Sequence, residues 1–185
     1  MMKNKSSKLQ TTYEIASILL TAVVAVGIIF TFFFKTSVVS GESMENTLHD
    51  GDNLLITSIT PEIKPGDVVV ISQPNGYEKV LIKRVIAVGG QTVSFDSNTG
   101  KTIINGEIVD EPYTKEKAKY TYAMTKTYYV PEGKLFVMGD NRNYSADSRD
   151  LAVGMIDEDY VMGKVIYRIG DTKIFNSELK ETENG

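Results

Sequence analysis

The sequence predicts a mainly β protein: an antiparallel β domain carried on one N-terminal transmembrane helix. Three observations predict it. A run of uncharged, mostly apolar residues, Ile15 to Phe34, stands near the start of the 185-residue chain. Beyond it the chain breaks into short runs rich in β-branched residues. Glycine-containing turn pairs punctuate those runs at short intervals.

Residues 1–14 are polar and carry Lys3, Lys5 and Lys8. Residues 15–34 are uncharged and long enough to cross a hydrocarbon core of about 30 Å as a helix. They are too uniformly apolar for a helix lying on the surface. A cleaved signal peptide is the alternative. Against it, the run ends Phe30-Thr31-Phe32-Phe33-Phe34-Lys35, without a small-x-small cleavage site. Basic residues before the run place the N-terminus in the cytoplasm and everything beyond Lys35 outside the cell membrane.

Residues 35–175 then read as one extracytoplasmic β domain. Asn53–Thr57 and Asp67–Ile71 each follow or include a Gly-Asp turn pair, Gly51-Asp52 and Gly66-Asp67. Val80–Val88 is longer and ends at Gly89-Gly90. Thr92–Phe95 follows. Thr102–Ile104, Asn105-Gly106 and Glu107–Val109 form a strong hairpin signal. Residues of about 95–130 read as a hairpin and insertion region, of which 111–127 lack periodicity and are expected to be mobile and partly extended. Strands resume at Tyr128–Val130, Lys134–Met138 and Tyr160–Ile169. Residues 176–185 are polar and read as a flexible tail.

Composition narrows the chemistry. A net charge of -4 leaves no basic footprint for nucleic acid. No cysteine means no disulfide and no thiolate. A lone histidine, His49, excludes a multi-histidine metal site. His49 also lies too close behind Ser43 in sequence for an easy Ser-His pairing, and reads as a solvated loop residue.

Three stretches carry chemistry together. Gly41-Glu42-Ser43-Met44-Glu45-Asn46-Thr47-Leu48 offers a serine soon after the apolar run, near a membrane surface. Leu81-Ile82-Lys83-Arg84-Val85-Ile86 sets a lysine among branched apolar residues. Gly139-Asp140-Asn141-Arg142-Asn143-Tyr144-Ser145-Ala146-Asp147-Ser148-Arg149 is a polar loop after a strand. Each has a bland reading: a turn serine, an edge lysine that discourages aggregation, ordinary surface polar residues. Jointly they supply a nucleophile, a base and a support loop. A free lysine has a pKa of about 10.4 and is a poor base at neutral pH, but burial disfavours its ammonium form. Strand alternation sets Lys83 on one face with Leu81 and Val85, and Arg84 on the other with Ile82 and Ile86.

The blocks S-M-x-x-T-L, I-K-R-V-I-A and G-D-N-R-x-x-S-x-D-S-R, in this order, resemble the bacterial type I signal peptidases (leader peptidases), in their short Gram-positive form. The resemblance runs from the apolar run to about Arg168. It implies an antiparallel β catalytic domain, a Ser43–Lys83 dyad and no metal or organic cofactor. It implies that Ser145 hydrogen-bonds the lysine, that Asp147 and Arg149 form a supporting ion pair, and that Asp140 plays a similar part with Arg84. The oxyanion donor would be the Ser43 backbone N–H. Some members add a serine hydroxyl where this chain has Gly41, so the Gly41 region must manage without it. Met44 would lie against the substrate beside the nucleophile. Asn46 stands where the family usually has proline, and Met155-Ile156-Asp157 stands where a proline usually follows Gly154. The implied substrates are signal peptides of exported preproteins, cut after small residues in an A-x-A-like pattern at the lipid bilayer. A self-cleaving Ser-Lys regulator would need a DNA-binding module in place of the apolar run. An inactive anchored adaptor would be expected to lack Ser43 or Lys83.

Overall fold

The computed structural model describes residues 3–58, 62–74, 79–119 and 121–170. The expected tail, 176–185, lies outside the described residues. The chain divides into two compact units, Met1–Lys35 and Thr36–Gly185.

The first unit is a single helix, α1 (Lys3–Phe33). Within it Gln10–Phe33 has a mean hydropathy of 2.6 over its most apolar window and buries none of that surface in the protein itself. It is long and apolar enough to span a membrane. The helix starts well before the apolar run, so the lysine-bearing segment is helical too.

The second unit holds the strands, except for the first two residues of the first strand. They are β1 (Phe34–Val38), β2 (Asn53–Thr57), β3 (Val68–Ile71), β4 (Leu81–Val88), β5 (Thr92–Phe95), β6 (Thr102–Ile104), β7 (Glu107–Ile108), β8 (Tyr128–Tyr129), β9 (Lys134–Met138), β10 (Ile156–Asp157) and β11 (Val161–Arg168). One sheet has the order β1-β2-β11-β3-β4-β9-β10, the other β7-β6-β5-β8. The registered pairs in both are antiparallel. β1 and β10 escaped the sequence pattern. The first begins inside the aromatic end of the apolar run. The second is a two-residue pairing of Ile156 and Asp157 with Leu135 and Lys134, too short to show alternation. The Asn105-Gly106 turn has φ of 52° and 90°, as the expected tight hairpin requires.

β3 is apolar at every position because both of its faces are covered. Val68 and Val70 join Met44, Leu48 and Leu54 in one cluster. Val69 and Ile71 join Val85, Leu135 and Val137 in another. A third cluster, with Phe136 at its centre, packs β4 and β9 against β5 and β6 of the second sheet. This last cluster also takes in Met124, 1% exposed. The stretch 111–127, expected to be a mobile insertion, is therefore anchored by apolar burial as well as by the polar contacts described below. Its anchors are single residues at irregular spacing, which periodicity does not reveal.

β4 lies between β3 and β9, inside the sheet. That removes the edge-strand reading of Lys83. Its register sets Lys83 opposite Val69 and Arg84 opposite both Val68 and Met138. The register with β9 shifts between Val85 and Ala87, just past these residues, an irregularity of the kind that can re-aim side chains. β9 ends at Met138, so the loop that follows starts beside Lys83.

Candidate active site

Ser43 lies in the tight turn between β1 and β2. The turn is fixed from below by Met44 and Leu48, 1% and 0% exposed. Thr47 and Leu48 both donate backbone hydrogen bonds to the Met44 carbonyl at 2.9 Å. These anchors hold the turn around Asn46. The Glu45–Asn46 peptide bond is cis. Gly41 has φ of 94°, and its N–H donates to Asp50 Oδ1 at 2.7 Å. That donor is thus already committed. The Ser43 N–H donates to no described protein group.

Lys83 projects from β4 toward this turn. Its Nζ lies 2.6 Å from Ser43 Oγ. The residue is 3% exposed. Among the described residues it has no ion-pair partner. Burial pushes its pKa down from 10.5 to about 8, against the pull of the Asp147 and Asp140 carboxylates and with help from the Arg149 guanidinium. A groove of about 380 Å³ opens over the pair, walled by Val38, Val39, Met44, Leu81, Ile82 and Ala146. Met44 thus belongs to the core and to the groove floor at once.

The loop after β9 carries the remaining candidates. Gly139 passes so close to the Ser43 carbonyl and to Ser145 that any Cβ there would collide with both. The Asn141 N–H donates to Ser43 O at 3.1 Å, and its Nδ2 donates to Glu42 O at 3.1 Å. Asp147 is buried and grips Arg149 with two bonds of 2.8 Å. Burial alone would raise the Asp147 pKa. The Arg149 guanidinium overrides it and holds the carboxyl below its usual range.

Asp140 grips Arg84 through Nε at 2.9 Å and Nη2 at 2.6 Å. Arg84 also donates to Gly66 O at 2.8 Å, and Thr47 Oγ1 donates to Asp140 Oδ2 at 2.5 Å.

Ser145 departs from expectation. Its Oγ is buried, makes no hydrogen bond of good geometry, and does not reach Lys83. It packs against Gly139. The lysine's one hydrogen bond goes to Ser43 instead. His49 has Asp52 and Arg168 as neighbours, at 3.9 Å and 3.5 Å, and contacts neither Ser43 nor Lys83.

Sequence reasoning missed Arg142 and its partners. Arg142 forms a two-bond ion pair with Glu111, at 2.8 Å and 2.6 Å, and both side chains are under a tenth exposed. Thr102 Oγ1 and Tyr113 OH donate to the same carboxylate at 2.7 Å and 2.9 Å. A charge count holds the missed signal. Arg84, Arg142 and Arg149 are three guanidiniums, while the loop supplies only Asp140 and Asp147. A third buried acid had to come from elsewhere.

The arrangement holds a serine hydroxyl, a buried amine in hydrogen-bond contact with it and an uncommitted backbone donor beside an open groove. Those are the parts of a serine hydrolase with a lysine base. The signal peptidase model, peptidase S26, matches residues 12–169. The chain belongs to the signal peptidase I family of serine peptidases.

Relatives in that family include a signal peptidase I of Bacillus licheniformis, 39% identical, covering 87% of this chain and 90% of the relative. Signal peptidase I T of Bacillus subtilis is 38% identical over 87% of this chain and 86% of its own. Signal peptidase IB of Staphylococcus aureus is 35% identical over 80% of this chain and 83% of its own. A crystal structure of a signal peptidase I from Enterococcus faecalis, 28% identical, aligns with 56% of this chain and 97% of its own at a TM-score of 0.45.

Proposed function

We propose that this chain is a membrane-anchored endopeptidase that removes signal peptides from exported preproteins, with Ser43 as nucleophile and Lys83 as base. One observation carries the reading: a buried lysine with a pKa near 8 sits 2.6 Å from the serine hydroxyl and, among the described residues, has no ion pair to keep it charged. A base is most effective when its pKa lies near the working pH.

In this reading the neutral Lys83 amine takes the Ser43 proton as Oγ attacks the scissile carbonyl carbon. The tetrahedral oxyanion accepts a hydrogen bond from the Ser43 N–H. The C–N bond then breaks, and the Lys83 ammonium returns its proton to the departing amine. Water, deprotonated in turn by Lys83, hydrolyses the acyl ester and frees Ser43. The apolar groove beside Ala146 suits small side chains before the cut, in the A-x-A-like pattern. The apolar helix α1 supports an anchor in the bilayer. The lysines ahead of it support a cytoplasmic N-terminus and an external catalytic domain.

Full-length protein in detergent, mixed with a preprotein and followed by mass spectrometry, tests the proposal. The expected product ends at a small residue, and Ser43→Ala yields none. An uncut preprotein, or equal cutting after alanine, leucine and phenylalanine, would overturn it.

A further inference from the structure

Three alternate residues, Glu111, Tyr113 and Lys115, each touch a different part of the site, though none belongs to the three sequence blocks. Glu111 grips Arg142 as described above. The Tyr113 ring lies under the Arg84 guanidinium, 3.9 Å from its centroid, well inside cation–π range. Its hydroxyl stays protonated, because burial and the Glu111 charge both raise its pKa, and so it donates to Glu111. The Lys115 ammonium pairs with Glu45, two residues past Ser43, and the Lys115 backbone N–H donates to Asp140 O at 3.1 Å.

We infer that residues 111–115 are a positioning strap for the proposed reaction. It ties the nucleophile turn, the base strand and the support loop into one rigid constellation. The connections run to the reacting atoms in one or two steps. Arg142, held by Glu111, donates from Nε to Gly139 O at 3.1 Å. It adjoins Asn141, which holds the Ser43 carbonyl. Arg84, capped by Tyr113, is the chain neighbour of Lys83. Glu45, held by Lys115, shares the Ser43 turn. Acylation needs Oγ and Nζ held in register with the substrate carbonyl. Loosening this register costs rate without weakening the groove's grip on substrate.

The inference rests on the reading of Ser43 and Lys83 given above, so its test has an arm that needs no activity. Hydrogen exchange by mass spectrometry is run on full-length wild type and on Tyr113→Leu in detergent. The hydrogen-bonded amides of Glu45, Thr47 and Leu48 should exchange faster in the variant, by roughly tenfold or more, while those of β2 and β11 stay unchanged. In preprotein cleavage, Tyr113→Leu should lose roughly ten- to a hundredfold in kcat at unchanged KM. Tyr113→Phe, which keeps the ring under Arg84, should recover most of that loss. Unchanged exchange in the turn, or a rise spread evenly over all strands, overturns the strap. So does a loss carried by KM, or Tyr113→Phe failing as badly as Tyr113→Leu. A wild type that cuts no preprotein defeats the proposed reaction alone, and the exchange result still decides the strap.

Discussion

Lys83 and Arg84 are neighbours on one strand, both cations and both buried, yet the two faces of β4 treat them in opposite ways. Arg84 is well partnered: two bonds to Asp140, one to the Gly66 carbonyl and an aromatic ring against its plane. Among the described residues the Lys83 amine has one hydrogen bond, to a hydroxyl. The carboxylates of Asp147 and Asp140 are near enough to pull on its charge but make no ion pair with it. A guanidinium is always charged, so burying it demands partners. An ammonium can discard its proton, so withholding partners turns it into a base. The difference separates a strut from a reagent on adjacent residues.

The largest expected effect breaks the comparison on the Lys83 face. Lys83→Met, close in length and uncharged, should lower kcat/KM for preprotein cleavage by roughly 10⁴-fold or more, as loss of a dyad member does. Lys83→Arg should be equally inactive, because a guanidinium cannot accept the Ser43 proton. A folded Lys83→Met enzyme that retains a tenth of wild-type activity would remove Lys83 from the chemistry.

Stability should separate the two residues next. Arg84→Met leaves Asp140, 0% exposed, without its counter-ion. The expected cost is about 3–5 kcal/mol. Lys83→Met removes a cation that the folded state disfavours, and should be stabilising at neutral pH. The sign follows from linkage. The folded pKa of about 8 lies below the free value of 10.5, so between them the unfolded chain binds the proton and the native chain does not. Wild type therefore gains stability as pH rises through that window. Lys83→Met cannot, so its advantage should be greatest below pH 8, on the order of 3 kcal/mol, and shrink toward pH 10.5. Chemical denaturation of both variants on either side of pH 8 measures this. A Lys83→Met protein less stable than wild type at neutral pH would mean that the Ser43 bond outweighs desolvation.

The strand runs and hairpin were legible because half-buried strands alternate and tight turns demand Asn-Gly. The three blocks were legible because each combines residue types that a β surface does not otherwise favour. What stayed hidden was set by single contacts. β10 is two residues long, pairing Ile156 with Leu135 and Asp157 with Lys134. Glu111 sits in a stretch without periodicity, and its meaning depends on an arginine 31 positions later. The Ser145 hydroxyl was expected on Lys83, but the close approach of Gly139 to Ser43 and Ser145 is a matter of packing that a motif does not encode.

The smallest expected effect sharpens the comparison by tuning Lys83 rather than removing it. Of the two carboxylates that raise its pKa, Asp147 acts more strongly than Asp140. Asp147→Asn removes the stronger pull and leaves the Arg149 charge, which itself lowers the Lys83 pKa, uncompensated. Both changes favour the neutral amine. In wild type, kcat/KM should rise with pH along a limb with its midpoint near 8, as Lys83 loses its proton. In Asp147→Asn that midpoint should move to lower pH, even if the maximum rate falls. Asp140→Asn should move it the same way by a smaller amount. Both profiles are to be taken at a temperature where melting shows the variants folded. A midpoint that rises in Asp147→Asn, or moves further in Asp140→Asn, would mean that the limb reports a group other than a Lys83 amine held between these two acids.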